Sequence, residues 1–193
     1  MTKEEFWAWF GDNRKVLEKF ISEEPRDYAI YEALTDKLQE YSDLLIPEIT
    51  MNGVGGYVLI ISCDGIAKGI PFVESLVDDT VDFPNWEILK FRQPAPMKLI
   101  PVNGLVLKRN SIFLEWEQTT DLKYDVVFFT ENYDRSNKNY DVGIFLHLDH
   151  TIGEYHSMTK IGKVELKRLG FFQSKKKLKT LDDLKEEIYK SLN

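Results

Sequence analysis

Residues 46–65, IPEITMNGVGGYVLIISCDG, decide the architecture. Residues 46–51 have extended character, residues 52–56 are rich in glycine, and residues 57–61 are an unbroken apolar run. A short apolar run bounded by turn signals predicts a buried strand, so the stretch reads as a hairpin whose second strand lies centrally in a sheet. Asp64 and Gly65 then turn the chain. Pro71 suits a first helical turn, where an N–H has no intrahelical partner to lose, and Phe72, Val73, Leu76 and Val77 give that helix an apolar face. Residues 86–92 follow as a strand.

Toward the N-terminus, Thr2 and Glu5 have the spacing of a capping box ahead of Phe6, Phe10, Val16, Leu17 and Phe20, which share one helical face. After a break at residues 22–25, Ile30, Leu34, Leu38, Tyr41 and Leu45 recur about every four residues and predict a second amphipathic helix. The two helices are expected to form a hairpin. Helical spacing sends Phe6, Trp9 and Phe10 inward and leaves Trp7 at the boundary.

Toward the C-terminus, Pro94, Pro96 and Pro101 mark a proline-rich segment, 93–102, because proline disfavours helix interiors and central strands. Beyond it, residues 105–107, 112–117 and 124–130 read as an antiparallel meander, with Ile112, Leu114 and Trp116 alternating against Glu115 and Glu117. A polar loop, 131–141, leads to a helix carrying Ile144, Leu148 and Ile152. A strand follows at 163–169, then a basic loop at 175–179. Thr180 is placed to cap a last helix carrying Leu181, Leu184, Ile188 and Leu192.

The order strand, strand, helix, strand thus occurs around residues 45–92 and again around 112–169. The expected fold is α+β: an N-terminal helical hairpin, then a mainly antiparallel sheet with backing helices, arranged as two ββαβ-like halves. A chain of 193 residues predicts a single domain, 1–193, with its halves joined by the proline-rich segment.

Composition narrows the function classes. A content of 43% hydrophobic and 13% aromatic residues predicts a globular core rather than a disordered chain. The formal charge of -7 argues against nucleic acid and anionic membrane as general partners and favours a basic protein partner. Cys63 is the sole cysteine, so no internal disulfide or cysteine-rich zinc site forms, and a buried thiol in a reducing compartment is expected. Residues 1–10 lack the pattern of a secretory signal and no apolar stretch has membrane-spanning length, which together point to the cytoplasm.

The most chemical-looking segment is 147–156, which holds His147, His150 and His156 together with Asp149 and Glu154. On a helix continuing to Glu154, the residues His147, His150 and Glu154 fall on one face, and imidazole and carboxylate groups so spaced can hold zinc or another divalent ion. A solvated helix face gives the same pattern. The corresponding enzyme would be a hydrolase using Asp149 and Glu154, with Arg92 as anion holder and Asp64, at the end of a core strand, as a further candidate. Glu115 and Glu117 leave one face of a strand as paired carboxylates do in glycoside hydrolysis, although a solvated strand face looks identical. The lysines between 160 and 179 form a basic stretch beside Phe171 and Phe172, without a nucleic-acid recognition motif.

Four phrases, taken in order, resemble those of a family of small bacterial cytosolic proteins: FWAWF at 6–10, ISCDG at 61–65, WEILKFR at 86–92 and LDHTIGEY at 148–155, the last continuing to TKIG at 159–162. The family pattern has alanine where Cys63 stands and proline where Gln93 stands. The resemblance implies bacterial cytosolic origin and no particular reaction. It keeps Asp149, Gly153 and Glu154 without the histidines, which implies that a shared role falls on the acids.

Overall fold

A computed structural model of the chain describes residues 1–170 and 174–192. The chain divides into two compact units, Met1–Arg92 and Gln93–Asn193, and the division falls where the proline-rich segment begins. Among the described residues no helix is long and apolar enough to cross a membrane.

The first unit opens with helix α1 (Lys3–Ser22). The Thr2 hydroxyl accepts from the Glu5 N–H and the Glu5 carboxylate accepts from the Thr2 N–H, completing the capping box. Helix α2 (Ala29–Tyr41) packs against α1 as the expected helix pair. Strands β1 (Ile46–Met51) and β2 (Tyr57–Ser62) form the hairpin, helix α3 (Ile70–Val77) crosses over, and β3 (Trp86–Lys90) returns beside β2. The sheet order is β1-β2-β3, antiparallel and then parallel. β2 is central, and Val58, Leu59 and Ile61 are buried.

Trp7 departs from expectation: it is buried, and its indole N–H donates to the Leu76 carbonyl at 2.8 Å. The end of α3 and the Phe83 ring, 5.7 Å away, cover the side of α1 that helical spacing alone leaves at the boundary. Trp9 is only half-buried.

In the second unit the proline-rich segment contributes structure of its own. Strands β4 (Leu99–Val102) and β5 (Leu105–Lys108) form a separate two-stranded hairpin. They turn at Asn103 and Gly104, whose φ values are both positive, 45 and 85°. The expected meander is corrected here, because β5 pairs with β4 and not with the next strand. Strands β6 (Phe113–Gln118) and β7 (Tyr124–Thr130) pair antiparallel, helices α4 (Asn139–Ile152) and α5 (Glu154–Lys160) cross over, and β8 (Ile161–Arg168) lies parallel to β7. Helix α6 (Leu181–Lys190) ends the chain, with Thr180 and Asp183 as its capping box.

The two ββαβ halves are therefore real, and each closes on a parallel strand because a helical crossover returns the chain in the same direction. In the second half one sheet face carries Leu114, Tyr124, Val126 and Phe128 into a core shared with Ile144, Leu148 and Ile152 of α4 and Leu181, Leu184 and Ile188 of α6. On its other side α4 meets the β4–β5 hairpin: a Cβ at Gly143 would collide with the Leu107 side chain.

Candidate functional site

The residues singled out in the sequence separate into three environments. In the first unit Arg92 follows β3, and its guanidinium donates to the carboxylates of Glu48 on β1 and, at 2.9 Å, Asp64 after β2. Asp64 sits at φ 50° in the turn that leaves β2, next to the buried Cys63. Arg92 thus ties the body of β1 and the turn after β2 to the end of β3, which is the geometry of a structural ion pair.

In the second unit α4 stops at Ile152, so Glu154 is not on the same helix as His147 and His150. Gly153 takes φ 83 and ψ 151°, a conformation essentially confined to glycine, and starts α5 in a new direction. Among the described residues no three His, Cys, Asp or Glu side chains gather as a metal site. Glu154 is fully buried, while Asp149 and His150 are half-buried.

His147 is corrected as well, because it is not on a solvated face. It is fully buried under the β4–β5 hairpin, with Nε2 3.1 Å from the Leu107 carbonyl oxygen. With a carbonyl as its partner Nε2 must carry the hydrogen, and Nδ1 is left buried with no hydrogen-bond partner among the described residues. Burial, then the Arg109 and His150 charges, push its pKa below the usual histidine value, against the Leu107 contact that raises it. Burial and the Lys160 ammonium lower that of His156, whose Nδ1 also lacks a partner among the described residues.

Both shifts have the same linkage sign. A histidine with a lowered folded-state pKa takes its proton first in the unfolded chain, so stability is full above the ordinary value and declines as pH falls through it. The thermal midpoint is expected to drop as pH falls from about 7 through the ordinary histidine value to about 5.5. Circular dichroism melts across that range check it, and a flat profile would contradict these environments.

The third environment is the outer face of the β6–β7–β8 sheet, opposite the helices. Side chains alternate along a strand, so with Leu114 and Tyr124 turned to the core, Glu115 and Glu117 of β6, Asp125 and Val127 of β7, and Glu165 of β8 share the outer face. They line an open groove of about 570 Å³ together with Lys163, Lys177 and Lys179. Glu117 stands directly opposite Asp125, and Glu115 and Glu165 flank Val127 from either side. Like charges directly opposite in a sheet repel. Two of the neighbouring cations are already engaged, since the Lys179 ammonium lies 3.6 Å from the Trp116 ring centroid and Lys167 pairs with Glu165 at 3.1 Å.

Sequence reading found Glu115 and Glu117 and missed Asp125 and Glu165. The alternation of Asp125 and Val127 against Tyr124, Val126 and Phe128 was the signal for the first. The basic stretch is dispersed: Lys175 pairs with Glu131 and lies over Phe113, and Lys179 covers Trp116. Phe171 and Phe172 lie outside the described residues. The architecture is that of an α+β chain of two ββαβ units with an open sheet face that carries carboxylates and lysines. No family model, curated protein or solved structure matches it.

Proposed function

We propose that the chain is a non-catalytic, cytoplasmic binding module that docks a basic segment of a protein partner on the outer face of the β6–β7–β8 sheet. The observation that carries this is the cross-strand pair of Glu117 and Asp125 in an open groove with Glu115 beside them, Asp125 already accepting the Lys163 N–H at 2.6 Å and Glu165 paired with Lys167. A lysine or arginine laid between them relieves the repulsion, so the gain on binding is larger than for an isolated surface acid. The net charge of -7 favours approach of the same partner. An inhibitor of a basic protein is the form such a module takes, and the bacterial family whose phrases the sequence resembles is its proposed setting. The alternative, a metal-assisted hydrolase centred on residues 147–156, has weaker support, since His147 is committed to the Leu107 carbonyl.

The test uses a labelled, lysine- and arginine-rich peptide of about ten residues, long enough to lie along a strand. The double variant Glu115→Lys/Glu117→Lys is expected to bind it about tenfold or more weakly than the unmodified chain. Glu4→Lys/Asp12→Lys, the same change of net charge on α1, is expected to bind it nearly unchanged. Equal losses in the two variants would show that total charge, and not this face, sets the affinity.

A further inference from the structure

A different part of the same sheet carries a second inference, which goes beyond the binding reading and does not rest on it. β8 is an edge strand, Ile161–Arg168, in the order β6-β7-β8. The Leu169 N–H donates to the Thr130 carbonyl at 3.0 Å. In a parallel pair only alternate residues bond inward, so the odd-numbered residues of β8 face β7. The N–H and C=O groups of Val164, Leu166 and Arg168 therefore point away from the sheet.

Two other sheet edges, that of β1 and the opposite edge of this same sheet at β6, are treated differently. β1 carries Pro47, which has no N–H and whose carbonyl accepts from the Tyr31 hydroxyl at 2.8 Å. β6 is bridged at Leu114, which exchanges backbone hydrogen bonds of 2.9 and 3.0 Å with Lys179. β8 has no proline, and among the described residues no strand pairs with its outer edge.

What such an edge accepts is set by the side chains beside it. Along the outer face β8 presents Lys163, Glu165 and Lys167, about half-exposed or more. A uniformly basic strand would meet Lys163 and Lys167, and a uniformly acidic one would meet Glu165. A strand of alternating charge fits, and β8 is itself such a strand. Antiparallel pairing with a second copy, centred on Val164 against Val164, sets each Lys163 opposite a Glu165; centred on Leu166 against Leu166, it sets each Glu165 opposite a Lys167. Registers centred on Lys163, Glu165 or Lys167 instead set like charges opposite one another.

We infer that the chain forms a two-fold symmetric homodimer by antiparallel pairing of β8 with β8 of a second copy, joining the two sheets edge to edge. The contact is isologous, so one row of alternating charge supplies both halves of each ion pair. Strand pairing alone buries little area, which makes the dimer a weak one that forms by mass action.

Sedimentation velocity of the full chain over about a hundredfold range of concentration reads this directly. The expected result is a mass that doubles at the upper end. Glu165→Lys, which makes the row all-basic, and Lys163→Glu/Lys167→Glu, which makes it all-acidic, are each expected to self-associate about tenfold more weakly. Mixed in equal amounts they are expected to recover association. The altered side chains are exposed, and circular dichroism of each variant separates loss of pairing from loss of fold. A monomeric wild-type chain throughout, variants that dimerise as the wild type does, or a mixture that stays monomeric would each overturn the inference.

Discussion

Phe10→Ala should lower the unfolding free energy of the first unit by about 3–5 kcal/mol, the range for removing a buried aromatic side chain and leaving a cavity. Phe10 is fully buried on α1. Its ring meets Phe83 and Trp86 edge-on at 5.0 Å and Trp7 at 5.7 Å, so one side chain links α1 to β3 and to the segment before it. Three large rings cannot collapse together to refill the space without breaking the indole N–H bond from Trp7 to the Leu76 carbonyl. Small domains are stable by only about 5–15 kcal/mol, so the variant is expected to lose a large share of that stability and to show a clearly lowered urea midpoint. Urea unfolding followed by tryptophan fluorescence checks it. A loss below about 1 kcal/mol would mean that the cluster repacks freely, contrary to the close-packed interior described.

Gly153→Ala should cost about 1–3 kcal/mol, the cost of holding a non-glycine residue in the conformation that ends α4. At φ 83 and ψ 151° the added Cβ is strained whatever space surrounds it. The glycine is fixed from both sides, because its N–H donates to the Asp149 carbonyl at 2.8 Å and its carbonyl accepts from Ser157 at 3.0 Å. Alanine would favour running α4 straight through, which would carry the buried Glu154 out of its place at the start of α5. The control is Gly53→Ala in the first hairpin, where a Cβ meets nothing within 4 Å and φ is not positive. That change is expected to stay within about 0.5 kcal/mol. Equal effects from the two alanines would remove the special role of Gly153.

The helix pair and both ββαβ halves were legible because local signals agreed with the tertiary structure. The Thr2 and Glu5 capping box, the four-residue spacing of Leu34 and Leu38, and the apolar run at 57–61 all pointed to the elements that form. The β4–β5 hairpin was not read, because Pro94, Pro96 and Pro101 suggested a linker. The dipeptide Asn103-Gly104, a strong hairpin signal, was the counter-evidence.

That omission hid the environment of His147, since the face of α4 expected to meet water is the one the hairpin covers. Gly153 stands within the resembling phrase and glycine is a common helix stop, yet the metal arrangement assumed a helix running past it. The acidic face was half legible. Alternation placed Glu115 and Glu117 together, but a parallel crossover sets Glu165 beside them, and its register depends on packing across residues far apart in sequence.

The most direct measurement of the central claim is an amide NMR titration of the full chain with the lysine- and arginine-rich peptide. The account predicts that shifts concentrate at Glu115, Glu117, Asp125, Val127 and Glu165, with α1 and α3 of the first unit unmoved. Shifts confined to other surfaces, or spread evenly over every exposed acid, would contradict docking on the outer face of the β6–β7–β8 sheet.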